Sequence, residues 1–279
     1  MKTRLVFVGV LLGAAGQVSG QTQQPRDKAY VEENFVSVQP IPYPYMREAD
    51  VMWEKRVWQE IDVREKMNEV IVNPSANLFT VLMNAVKAGE LTAYDPNPIS
   101  TDDPGDEFRQ VLSPDKIMAG VGGGYDTIQV PDLNDPNILR DTIIQNTFDA
   151  GTVQKFRIKE DWIFDKQRSV MEPRIIGLAP LYSRPLPTGD TVYVPMFWVY
   201  YPEARQVLAS VEVFNPNNQA TNLSFDDWFI QRLFSSYVIK EANSEGIPIS
   251  AYAEGQDLMY ESRRIKETIF NYEHDLWEY

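Results

Sequence analysis

The sequence predicts an α+β fold in which a central, mostly antiparallel sheet is packed by helices from both the N-terminal and the C-terminal parts. Three observations lead there. Residues 153–181 first alternate Lys155, Arg157 and Lys159 with Phe156 and Ile158, the period of two of a strand with one charged and one apolar face, and then carry the apolar run 174–179 of a second, more buried strand. Residues 126–130 and 141–145 are two further strand-like runs joined by the 131–140 loop. Leu78, Phe79, Leu82, Met83 and Val86, and again Leu258, Ser262, Ile265, Ile269 and Tyr272, recur at the spacing of one helix face.

The 279 residues, 43% hydrophobic and 12% aromatic, suffice for one large or two modest domains with a sizeable core. Formal charge is −14, which argues against nucleic acid as the main partner, because the phosphates would be repelled. There is no cysteine, so disulfides, thiolate metal sites, cysteine nucleophiles and lipid attachment through cysteine are excluded.

Residues 1–20 have the layout of an export signal: Lys2 and Arg4, an apolar stretch over 5–15, and small residues at Val18-Ser19-Gly20. Cleavage after Gly20 would release an exported chain with no direct transmembrane anchor. Residues 21–48 then read as an extended arm, because Pro40-Ile41-Pro42-Tyr43-Pro44-Tyr45 favours polyproline-like backbone that orders only by lying on something else. Residues 49–279 form a single α+β domain or two similar lobes joined by the 95–125 loop. The second alternative rests on Leu78-Phe79, in a helix ending at Gly89 and running on to Ala93-Tyr94, beside Leu233-Phe234, in a helix ending near Gly246 and running on to Ala251-Tyr252.

Within that domain, Trp53, Val57 and Ile61 at four-residue spacing predict a helix over 49–68 with Asp50 as its cap. Asn73-Pro74 predicts the start of a second helix that Gly89 stops. Residues 95–125, dense in Asp, Pro and Gly, read as a loop with one short helix after Ser113-Pro114. Residues 191–201 form an aromatic strand with Pro195 suited to an edge, and 207–214 another strand. Ser224-Phe225-Asp226-Asp227 opens a helix whose buried face carries Trp228 or Phe229, Leu233 and Tyr237, and the amphipathic helix over 253–272 closes the series.

Catalytic constellations find little material. His274, the one histidine, sits in a charged C-terminal helix, and no G-x-S-x-G turn accompanies it. Gly120-Val121-Gly122-Gly123-Gly124-Tyr125 lacks the Lys-Ser/Thr pair of a phosphate loop and reads as a hinge. Asp102-Asp103 and Asp106-Glu107 lack the order of calcium ligands and read as solvated loop acids. A glycan-binding module, or a glycoside hydrolase with paired carboxylates, stays open as the alternative. No cofactor is implied. The segment with the most partner-binding character is the 153–181 strand pair, locally positive inside an acidic chain. Its Lys155, Arg157, Lys159, Trp162 and Arg168, with Tyr43 and Tyr45 of the arm, are the candidate interface residues.

Several stretches together resemble the GldN/PorN family of the type IX secretion and gliding-motility apparatus. They are Asp50-Val51-Met52-Trp53-Glu54-Lys55-Arg56-Val57-Trp58 with its continuation over 61–68, Lys155-Phe156-Arg157-Ile158-Lys159-Glu160-Asp161-Trp162, Arg174-Ile175-Ile176-Gly177, Phe197-Trp198-Val199-Tyr200, and Phe225-Asp226-Asp227 with Leu233-Phe234-Ser235-Ser236-Tyr237. The resemblance implies a non-enzymatic structural subunit that self-associates in a periplasmic ring. Its implied partners are an outer-membrane lipoprotein of the GldK/PorK kind and the periplasmic part of a GldM/PorM-like motor protein.

Overall fold

A computed structural model describes residues 39–277 except 75, 99–104, 121–123, 132–138, 147, 187–188, 190 and 215–222, with backbone alone for 124–131, 139–146, 185 and 277. The export signal and the arm up to residue 38 lie outside the described residues, as do Asp102-Asp103 and the middle of the glycine run. Phe35–Tyr279 forms one compact unit.

In chain order the elements are β1 Val51–Asp62, β2 Val72–Asn73, β3 Ala76–Asn77, α1 Leu78–Ala88, β4 Ala93–Tyr94, α2 Pro114–Gly120, β5 Gly124–Pro131, β6 Leu139–Asn146, β7 Val153–Asp165, β8 Val170–Pro185, β9 Thr191–Pro195, β10 Trp198–Tyr200, α3 Tyr201–Ala209, α4 Phe225–Ile230, β11 Tyr237–Glu241 and α5 Gln256–Trp277. Seven strands form one sheet in the order β11-β1-β7-β8-β10-β4, with β9 also beside β8. Every pairing in it is antiparallel. The α+β fold with an antiparallel sheet is thus the one the sequence predicts, and β5 and β6 pair with each other as expected.

One face of the sheet is covered. Ile61, Phe156, Ile158, Leu178 and Val199 pack under α1, α3 and α4 through Leu78, Leu82, Tyr201, Leu208, Trp228 and Phe229. A smaller cluster joins Val57 and Val238 to Ile265 and Ile269 of α5. These are the α5 positions the sequence marked. α1 also buries its predicted stripe, and Gly89 closes it at φ +76°, a left-handed conformation that glycine adopts at little cost. Its cap is Asn77, which accepts from the N–H groups of Phe79 and Thr80, whereas Asn73 lies in β2.

Three expectations are overturned. Residues 51–62 are the second strand of the sheet, not a helix: the four-residue spacing of Trp53, Val57 and Ile61 is also twice the strand period, and the β-branched and aromatic content favours a strand. Residues 201–209 form α3 where a strand was expected to begin at 207, because Pro202 in the first turn sets a helical φ and Ala204, Arg205, Leu208 and Ala209 turn inward together. The Ser224 capping box is formed, but α4 ends at Ile230. Arg232 takes φ +53° and Tyr237 begins β11, so Leu233 and Phe234 are not helical and the proposed likeness to 78–94 lacks its second helix.

The aromatic strand expected over 191–201 breaks into β9 and β10 after Pro195. β8 in turn runs on through Pro180, beyond the apolar run 174–179. The Pro180 carbonyl accepts from Met196 N–H, so its missing donor falls on the side of that same break in the neighbouring strand. Gly177 in β8 passes beneath Phe108, and a Cβ there would meet Phe108 Cζ at 2.7 Å and Trp198 Cε3 at 3.1 Å. Gly177→Val is therefore expected to cost about 1–3 kcal/mol by overpacking, read as a lower urea midpoint at unchanged slope.

Candidate functional site

The register of β1 between β7 and β11 sets charged and aromatic side chains opposite one another on the less covered face. Glu60 faces Arg157 on β7 and Tyr237 on β11. Trp58 faces Lys159 and Lys240, and Arg56 faces Asp161. The charged rungs are hydrogen-bonded, and the Trp58 rungs are cation–π contacts.

Arg56 forks onto Asp161 at 2.6 and 2.7 Å. Arg157 and Lys155 share Glu60, at 2.6 and 3.2 Å, and the Tyr237 hydroxyl donates to it at 2.7 Å. Lys159, 5% exposed, reaches the Asp106 carboxylate at 3.0 Å and its carbonyl at 2.9 Å, while the Trp58 indole N–H donates to the same carboxylate. Lys159 and Lys240 also lie 5.7 and 4.7 Å from the Trp58 ring centre.

The free basic strand face expected from Lys155, Arg157 and Lys159 is thus an ion-pair layer inside the fold. Asp106, expected to be a solvated loop acid, is buried in it. Its loop returns to the sheet edge, where Phe108 meets Tyr94, Trp198 and Tyr200 edge-on.

Trp162 belongs to the covered face. Its indole N–H donates at 2.7 Å to Glu160, which is fully buried between the two core clusters and also accepts from Gln59 and, at 2.8 Å, from Arg232. Beside it Trp162, Phe234, Lys266 and Phe270 line a cleft of about 440 Å³ under α5. Burial first, and Arg232 next, hold Lys266 below its ordinary pKa.

Arg168 sits in the β7–β8 turn on Asp165 at 2.7 Å. Tyr43 lies between two guanidiniums, Arg174 and Arg205, each 4.3 Å from its ring centre. Those arginines also bind the chain on either side of it, Arg205 at the Ile41 carbonyl and Arg174 at the Pro44 carbonyl. Arg205 is fixed by a two-bond pair with buried Asp226, to which Tyr201 also donates. Tyr45, two residues on from the clamp, is 89% exposed.

Three of the seven sequence candidates, Lys155, Arg157 and Lys159, are therefore brought together; Trp162, Arg168, Tyr43 and Tyr45 are elsewhere. Glu60, Trp58, Tyr237 and Lys240 were missed, because their strands were read as helix. Period-two alternation of Met52, Glu54, Arg56, Trp58 and Glu60 against Trp53, Val57 and Ile61 was the available signal. Among the described residues no group of three or more His, Asp or Glu is placed to hold a metal ion, and no helix is long and apolar enough to cross a membrane.

These features define an antiparallel α+β protein with a set of paired charges built into its sheet. The chain belongs to the family of gliding motility associated protein GldN, whose family model matches residues 46–278. It is accordingly a protein associated with gliding motility and type IX secretion. No curated protein matches it.

Two stability measurements check the ion-pair layers. Glu160→Ala leaves Arg232 without its buried carboxylate and is expected to cost about 3–5 kcal/mol in chemical denaturation. Burial alone would raise the Glu60 carboxyl, but the charge and hydrogen bond of Arg157, the Tyr237 hydroxyl and Lys155 together hold it below the ordinary glutamate value. Its contribution is therefore complete above that value and is lost as pH falls through the depressed one. Melting temperature against pH should drop less steeply on the acid side for Glu60→Gln than for the parent, and parallel curves would refute the assignment.

Proposed function

We propose that this chain is a non-enzymatic structural subunit of a periplasmic ring in the type IX secretion and gliding-motility machinery. In this reading it joins an outer-membrane lipoprotein of the GldK/PorK kind, which supplies the membrane link, and meets the periplasmic part of a GldM/PorM-like motor protein. The observation that carries the reading is the family match over 46–278, which takes in the whole sheet and all five α-helices.

The placement of the charges supports it. Glu60, Asp106, Glu160, Asp161 and Asp226 are each held by a cation, the arrangement of a scaffold and not of a carboxylic acid poised to give up a proton. Glu54 is raised by burial and by the charge of Asp161, but Asp161 itself is held by the Arg56 fork. Contacts with neighbours fall to what is left exposed: Tyr45 beside the Tyr43 clamp, Arg168 in the β7–β8 turn, the edge of Trp162, and the Lys155/Arg157 groove.

Co-expression with the lipoprotein followed by size-exclusion chromatography tests the assembly. The chain is expected to elute small alone and in a large complex with its partner; the same elution volume in both cases would end the proposal. Tyr45→Ala should leave unfolding within about 0.5 kcal/mol of the parent while reducing lipoprotein recovered in a pull-down. Full recovery would remove Tyr45 from the interface.

A further inference from the structure

A groove of about 550 Å³ opens on the less covered face of the sheet, and Trp58, Glu60, Lys155, Arg157, Lys240 and Ser250 line it. Its charges do not balance. Lys159 answers Asp106, but Lys155 and Arg157 share the single carboxylate of Glu60. Lys240 contacts the Trp58 ring and has no carboxylate among the described residues. Two positive charges are left over beside an indole, in a chain whose net charge is −14. The Arg157 Nε is in addition buried without a hydrogen-bond partner.

The sequence contains a segment of matching chemistry. Residues 30–35, Tyr-Val-Glu-Glu-Asn-Phe, set two adjacent carboxylates between two aromatic rings with no cation among them. They lie shortly before the Tyr43 clamp and outside the described residues.

We propose that residues 30–35 of one copy dock in the groove of a neighbouring copy, with Glu32 and Glu33 meeting Lys240 and the Lys155–Arg157 pair and an aromatic ring packing by Trp58. The inference rests on the reading above that copies of this chain sit side by side. Opposite charge supplies steering and register, and the rings supply contact area.

Ile41 is bound by Arg205 of α3, which anchors the chain that follows the segment. A neighbour's segment is taken as the occupant because, in a ring of identical copies, each groove is presented to the next copy. Contacts made in this way are head-to-tail, the kind that repeats from copy to copy.

The absence of cysteine makes introduced thiols unambiguous. Asn34→Cys and Ser250→Cys chains, purified separately, mixed and mildly oxidised, are expected to give a reductant-sensitive dimer containing one of each. Thr268→Cys, exposed elsewhere on α5, serves as the control in place of Ser250→Cys and should give none. Adding Lys240→Glu should cut the dimer yield about tenfold, and Glu32→Lys with Glu33→Lys on the opposite chain should restore it. A link formed only within one chain carrying both thiols, or a yield no higher than the control's, overturns the proposal. If the complex with the lipoprotein still forms in that case, only the docking falls. If that complex is also lost, the structural reading falls with it.

Discussion

The register of β1 against β7 is the constraint on which the rest of this molecule depends. Eleven facing pairs fix it, from Val51 opposite Asp165 to Asp62 opposite Lys155. Because side chains alternate between faces, a slip of one residue would turn Val57 and Ile61 out of the core and drive Arg56, Trp58 and Glu60 into it. The same slip would separate Arg56 from Asp161 and Glu60 from Arg157. Apolar burial and charge pairing therefore select one alignment together, a consistency between levels that gives a single native state its margin.

The two faces use charge differently. On the covered face Glu160 is fully buried, and Gln59, Trp162 and Arg232 reach it from β1, β7 and the segment after α4. It joins the core under α1, α3 and α4 to the one under α5. On the other face the pairs form a layer across β11, β1 and β7. Such pairs add less net stability than apolar residues of the same volume would, and their loss one partner at a time is what costs. What they add here is alignment, since the partners sit on different strands or, for Asp106, on the loop that returns to the sheet edge. Arg205 applies the same principle to the chain before β1: locked by Asp226, it presents a fixed guanidinium on which Tyr43 and the Ile41 carbonyl settle.

Where a segment carried one unambiguous period the sequence was legible. The β7–β8 pair, the buried stripes of α1 and α5, the Ser224 capping box and the stop at Gly89 all follow from local pattern. β1 was misread because apolar residues four apart satisfy both periods, and only the pairing of Arg56 and Glu60 with residues a hundred positions away decides between them. α3 and β11 were misread because short elements in this fold are settled by tertiary context, Pro202 aside. The candidate site shows the same division. Lys155, Arg157 and Lys159 were recognisable as one face, but their pairing with Glu60 and Asp106 is long-range and left no trace in local composition.

The borders of the sheet carry a further consequence. Its outer strands are β4, two residues long, and β11, five residues long with Lys240 and Glu241 within it, while β9 ends at Pro195. Short, charged and proline-bearing borders resist the addition of another strand. Such borders give little template on which one copy could extend the sheet of another, so a neighbour would be met by side chains rather than by backbone.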